Sequence, residues 1–249
     1  MARVEAQAKR GGSDWDDSHL LTGSKRHSTT ELLEFQPGCY EVYALGAHRV
    51  GPHSAGLDID LSVQAVQGGA LLGDDRSETA DAKVSFCVGS ATAAVVSVAG
   101  IGHGRPAALL RYRYPLAKGF PAGWHPTIRG RMAQAHRGLH APALDEPPVF
   151  LSLGGNGLAK IPLQLDPTGC YLALLTRLKG VTRSINLRVQ TRDAEFRSHG
   201  GGTQQQSASI GFCNRGDEAP RIDVEARGSA MSWFLGIWRV GAMPPGELP

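Results

Sequence analysis

Gly-Cys-Tyr stands twice in this chain, at residues 38–40 and 169–171. Each copy follows a proline closely and opens an apolar run, "QPGCYEVYALG" and "PTGCYLALLTR". A phrase repeated about half a chain apart limits the possible folds sharply. Internal self-similarity means that one structural unit has been written twice.

The similarity continues downstream of each copy. "LDIDLSV" at 57–63 and "RSINLRV" at 183–189 both alternate apolar and polar residues. Ile59, Leu61 and Val63 share one side, as do Ile185, Leu187 and Val189. Period two predicts a strand with one buried face. Next come polar, Gly-rich turns, then "VSFCV" at 84–88 and "SIGFCN" at 209–214. The offset that carries Cys87 onto Cys213 also carries Val96 onto Ile222, Val98 onto Val224, Gly102 onto Gly228 and Tyr112 onto Trp238. The offset from Cys39 to Cys170 is longer, so the length change falls in loops within the units.

Each unit closes with two more apolar runs. They are "AAVVSVAG" and "PAALLRYRYP" in the first unit, "PRIDVEARG" and "MSWFLGIWRVG" in the second. Many short strands separated by turns predict an all-β chain of two tandem antiparallel β-sandwiches of jelly-roll type. At 249 residues, with 41% hydrophobic content and 32 glycines, the chain has room for two such domains. The expected division is a polar N-terminal arm at 1–28, a first sandwich at 29–115, a linker at 116–148, a second sandwich at 149–243 and a tail at 244–249. Proline punctuates the linker, and a short helix is expected in it after Pro126.

The formal net charge is only +3, which gives no general case for nucleic acid or an anionic membrane as partner. No run is long and apolar enough to read as a membrane span. "MARVEAQAKR" has no apolar core, so no secretory signal is visible in this chain; a removed signal or a longer parent protein accommodates that.

The four cysteines include no C-x-x-C pair, which argues against a zinc ribbon or a thioredoxin-like site. One cysteine per unit opens a strand and the other ends one. The expected pairs are Cys39–Cys87 and Cys170–Cys213, each contributing about 3–4 kcal/mol by constraining the unfolded chain. Such bonds place the chain outside the cytoplasm, in the periplasm, at the cell surface or secreted. The alternative is four buried thiols.

On these residues, each unit resembles the bacterial pre-peptidase C-terminal domain, in its disulfide-bearing variety. The matching pieces are the Gly-Cys-Tyr strand entry, "LDIDLSV" at the family's Asp-x-Asp-Leu position, the aromatic-Cys strand end, and the final strands "ALLRYRY" and "WFLGIWRV". The second unit departs from the pattern, with Ser184 and Asn186 where the first has Asp58 and Asp60. The resemblance implies small sandwich domains with accessory roles and does not imply an enzyme. Some relatives bind calcium. That makes Asp58, Asp60, Asp74 and Asp75 the candidate metal ligands, since calcium takes several carboxylate oxygens. The plainer reading is an acidic strand face and an acidic turn, and no cofactor is required.

No H-E-x-x-H, G-x-S-x-G or Walker A sequence occurs. "GIGHG" and "LGGNGLAK" read as hairpin turns rather than dinucleotide sites. His136 and His140 sit one helical turn apart, with His125 nearest; they read as polar linker residues. Arg188 and Arg192 are read as an outward basic stripe suited to an anionic glycan, or as a solvated sheet face. Trp233 lies on the opposite parity to Trp238 and is expected to be exposed for ligand binding. The expected function is a non-catalytic binding or adhesion module for a partner protein or glycan. A secreted hydrolase with a loop-borne site, or a structural subunit of a surface assembly, is the alternative.

Overall fold

The computed structural model describes residues 2–22, 28–46, 58–101, 105–138, 143–198, 206–214 and 219–241. They form two compact units, Met1–Leu116 and Ala117–Pro249. The expected all-β architecture is present, with every sheet antiparallel.

The first unit contains α1 (Ala2–Arg10), β1 (Trp15–Thr22), β2 (Ser28–Phe35), β3 (Gly38–Gly46), β4 (Asp60–Ala65), β5 (Leu71–Asp75), β6 (Asp81–Val88), β7 (Thr92–Ala99) and β8 (Pro106–Tyr114). One four-stranded sheet runs β1-β8-β3-β6 and the other β2-β7-β4-β5. Their inner faces make one core. Tyr40, Val42 and Ala44 of β3 belong to the same cluster as Leu61 and Val63 of β4 and Val96 and Val98 of β7. Each fully buried aliphatic or aromatic side chain stabilises the fold by roughly 1.5–3 kcal/mol. The alternation read from "LDIDLSV" is therefore the cause of the layer: a one-residue slip would turn its apolar row to water.

Within the stretch 1–28, expected to be a polar arm, the described residues 2–22 hold α1 and an edge strand of the first sheet, β1. β1 escaped recognition because its inward row is Asp17, His19 and Leu21, with the first two pairing polar groups of neighbouring strands rather than packing as hydrophobes. Only Leu21 of that row carries an apolar signal, and it is buried in the core.

The second unit contains α2 (Pro126–Arg137), β9 (Phe150–Gly155), β10 (Gly157–Pro162), β11 (Cys170–Gln190), β12 (Glu195–Arg197), β13 (Ser207–Cys213) and β14 (Arg221–Val240). Here the layers are joined. β11 is 21 residues long and β14 is 20, and each runs through both halves of a folded six-stranded sheet. Their pairing slips near Arg177, Lys179 and Thr182, where the ladder bends. Gly180 sits in that bend at φ 79°, and a Cβ there would lie 2.4 Å from the carbonyl oxygens of Ser229 and Ala230. The first part of β11 pairs β13 and the last part of β14. Its remainder pairs β12 and the first part of β14, and β9 and β10 flank the two halves of β14. Unit for unit, β9 stands where β1 stands, and β10 where β2 stands.

The expected linker is part of the second unit. His125 Nδ1 accepts the Thr127 N–H and Pro126 fills the first helical position, so the "HP" pair starts α2 rather than interrupting it. Gly130, Met132, Ala133 and Ala135 form its buried face. The Trp238 indole N–H donates to the Gly119 carbonyl at 2.9 Å. Phe120 and Trp124 pack on Trp238 and Phe234, with ring centroids 5.1–6.2 Å apart. Backbone held this way resists proteases. Limited trypsin digestion is expected to leave the Arg129 and Arg131 bonds intact in the folded protein, as read by mass spectrometry of the fragments. Early cleavage at either would contradict the packing.

Candidate functional site

The doubled Gly-Cys-Tyr has a local explanation. Cys39 lies directly opposite Cys87 and Tyr40 opposite Phe86; Cys170 lies opposite Cys213 and Tyr171 opposite Phe212. Both disulfides join neighbouring strands of one sheet, and no cysteine is free. The tyrosines point the other way, into the core, with ring centroids 5.8 Å from Phe86 and 5.6 Å from Phe212. Each hydroxyl donates back to a carbonyl upstream, Tyr40 to Gln36 at 2.7 Å and Tyr171 to Asp166 at 3.2 Å. The phrase thus encodes an outer staple and an inner tyrosine tether, which is structure rather than chemistry.

Trp233 is not a surface platform. It is 1% exposed, belongs to the core between the two halves of the sheet, and donates its indole N–H to the Gly155 carbonyl at 2.8 Å. Parity misled because both faces of β14 are covered here. The other half of the sheet covers the Trp233 side, and α2 covers the Trp238 side.

Arg188 and Arg192 do not form one stripe. β11 ends at Gln190, and Arg192 sits in a turn closed by bonds between Thr191 and Ala194. Arg188 remains on the outward face, where Glu195 lies 3.7 Å away. Its surroundings are a lattice of compensated charge. Arg197 pairs with Glu195, Arg221 pairs with Asp223 at 2.9 Å, and the Gln190 amide donates to Glu195.

The four aspartates do not converge either. Asp74 faces outward opposite Ser62 and pairs with Arg76 at 3.0 Å. Asp75 has the other parity and accepts the backbone N–H groups of Lys83 at 2.7 Å and Ser77 at 3.0 Å. Those two bonds hold its carboxyl below the usual carboxylate range. Asp75 is a clasp between β5 and the start of β6. Among the described residues, no group of three or more His, Cys, Asp or Glu side chains is arranged to hold a metal ion. Asp58 is exposed ahead of β4 and Asp60 lies on its outward row. His140 lies outside the described residues.

A polar cluster in the first unit ties its two sheets together. The Arg111 guanidinium, 7% exposed, donates to Asp17 at 2.9 Å and to the Glu34 carbonyl at 2.6 Å. His19 sits between Asp17 at 2.7 Å and Glu31 at 2.9 Å. Burial pushes the Asp17 carboxyl up, but the bonds from His19 and Arg111 outweigh it and hold the group low. A carboxyl depressed in the folded state contributes stability that is present above its unfolded pKa and lost as pH falls through its folded pKa. Acidification below the ordinary carboxylate range is therefore expected to lower the melting temperature, and Asp17→Asn to flatten that dependence. An identical acid limb in the variant would contradict the role.

One surface has a different character. β9, "FLSLGG", carries no charge and has one strand neighbour among the described residues, β14. Phe150 turns toward the core. Val149, Leu151 and Leu153 turn away from it and are 52%, 44% and 66% exposed. Leu153 lies opposite Phe234, whose ring meets Trp124. The Val149 N–H donates to the Ile237 carbonyl at 2.8 Å, and Phe150 lies opposite Ile237, so Phe150, Ser152 and Gly154 turn their amides to β14 while those of Leu151 and Leu153 point to the open side. β1, at the same place in the first unit, carries Asp16, Asp17 and His19. Charge on an edge strand blunts its tendency to pair with another chain. β9 has lost that protection. Sequence reading passed over it because apolar residues occur on both parities of "VFLSL", which hides the outward row.

No family model and no curated protein matches the chain. Solved structures similar to it are matched only loosely. The tandem CBM22-1-CBM22-2 domain of Paenibacillus barcinonensis Xyn10C matches at 9% identity and a TM-score of 0.27, over 93% of this chain and 98% of that one. The CUB1-EGF-CUB2 domain of human MASP-1/3 matches at 6% identity and 0.25, over 90% and 99%. The major capsid protein P2 of bacteriophage PM2 matches at 11% identity and 0.25, over 94% and 100%. Such scores carry no argument about function, which rests on the chain's own surface.

Proposed function

We propose that the chain is a non-catalytic, extracytoplasmic binding module that takes an extended segment of a partner protein along β9. The observation behind this reading is the unprotected edge: an open ladder beside a row of exposed aliphatic side chains. A strand added there gains main-chain hydrogen bonds, while alternate side chains meet Val149, Leu151 and Leu153. Among the described residues every exposed large hydrophobic side chain is aliphatic. Sugar rings stack on flat aromatic faces, so a protein suits this surface better than a glycan. Two disulfides favour an oxidising compartment. No helix among the described residues is long and apolar enough to cross a membrane. The resemblance of each unit to pre-peptidase C-terminal domains supports an accessory role.

The test uses the full chain against a displayed peptide library and a glycan array. Peptides with alternating apolar residues are expected to be selected. Leu151→Lys combined with Leu153→Lys is expected to lose them by at least tenfold, with the melting temperature nearly unchanged because both side chains are exposed. Glycan binding without peptide binding, equal peptide binding by the variant, or turnover of a substrate would overturn the reading.

A further inference from the structure

Edge strands in this chain are guarded by charge, with two exceptions. Among the described residues, the sheets of the first unit end on β1, β6, β2 and β5, and one half of the folded sheet ends on β10 and β12. Each of these strands carries a charged side chain: Asp17, Lys83, Glu34, Asp74, Lys160 and Glu195 in that order. Such charges keep an edge from pairing with another chain. β9 and β13 carry none, and they are the two edges of the other half, β9-β14-β11-β13. The loss on β13 is visible against the repeat. The offset that carries Cys87 onto Cys213 carries Asp81 and Lys83 of β6 onto Ser207 and Ser209.

The two unguarded edges fit each other. The Asn214 N–H donates to the Gly169 carbonyl at 2.9 Å and Cys170 lies opposite Cys213, so Ser207, Ser209 and Gly211 turn their amides away from β11. On β9 the open amides are those of Leu151 and Leu153. Leu153, Phe234, Thr176 and Ser207 stand opposite one another in one row across the half-sheet, so both sets of open residues put their side chains on the same face. Strand direction alternates from β9 to β13. β13 of one copy therefore meets β9 of another antiparallel, with inner face beside inner face. The bulky outward row of β9 then lies beside serines and a glycine, which leave room for it.

We propose that the extended segment taken by β9 is β13 of a second copy of this chain, so that copies join head to tail through one continuous sheet. The inference rests on the reading of β9 as a strand acceptor and names its partner. The contact joins two different surfaces and leaves one edge free at each end, so association continues past a dimer into a ring or a filament.

The experiment follows the mass of the full chain by sedimentation over a range of concentrations. Leu151→Lys with Leu153→Lys blocks β9. Ser209→Lys and, separately, Ser207→Asp block β13; they copy Lys83 and Asp81 of β6, and thermal melting checks that each variant keeps the fold. The wild type is expected to grow past the dimer as concentration rises. Each blocked chain alone is expected to stay monomeric. A mixture of a β9-blocked and a β13-blocked chain is expected to stop at the dimer, formed from the one open edge of each. Self-association of the β13-blocked chains equal to that of the wild type would show a contact that does not use β13, and a wild type that stays monomeric throughout would show no contact between copies; either overturns the inference. Library-selected peptides that bind β9 of a monomeric wild type would leave the reading of β9 as an acceptor standing, whereas their failure to bind would overturn that reading as well.

Discussion

Trp233→Ala is expected to destabilise the second unit by about 3–5 kcal/mol, the range for deleting a buried large aromatic. The indole is enclosed by the core and bonded to Gly155. Gly154 is its close neighbour, since a Cβ there would fall 2.0 Å from the Trp233 ring. Truncation leaves a cavity and an unpaired carbonyl on β9 together. A typical domain has only about 5–15 kcal/mol of net stability, so the second unit would lose much of its margin. Urea denaturation followed by probes in each unit measures this. The transition of the first unit should stay in place, because distant sites act independently. A change within about 0.5 kcal/mol would mean a surface residue and would restore the exposed-platform reading.

Replacing Cys170 and Cys213 together by alanine is expected to cost the second unit about 3–4 kcal/mol, from the loop of 43 residues that the bond closes. The first unit keeps Cys39–Cys87 and should unfold as before. Tyr171 and Phe212 still pack on the inner face of the same strand pair, so the fold should survive with a lower midpoint rather than rearrange. Loss of structure in both units would contradict their independence.

The contrast between these residues shows what a single sequence carries. The doubled Gly-Cys-Tyr and the Phe-Cys strand ends were legible because strand register is local: a cysteine and its neighbour must face opposite sides. Trp233 was not legible, because the other half of the folded sheet covers its side of β14, while Phe120, Trp124 and α2, more than ninety positions upstream, cover the Trp238 side, so parity along the strand marks no exposed face. β1 was hidden for a related reason. Its inward Asp17 and His19 look solvent-facing until Arg111 and Glu31 are brought beside them. The bends that fuse the layers of the second unit were also missed. "RIDVEARGSAMSWFLGIWRV" reads as two strands with a Gly-Ser break, whereas the chain continues through it as β14. Asp75 was misjudged because acidic turn residues look alike in sequence, whether they face a cation or clasp backbone amides.

The open edge of β9 is the central claim, and hydrogen exchange reads it directly. In the free chain the amides of Leu151 and Leu153 should exchange quickly. Those of Val149, Phe150, Ser152 and Gly154, turned toward β14, should exchange slowly. Adding a library-selected peptide should slow exchange at Leu151 and Leu153 and leave β1 unchanged. Slow exchange of those two amides in the free chain, or peptide protection that appears elsewhere and spares β9, would contradict the account.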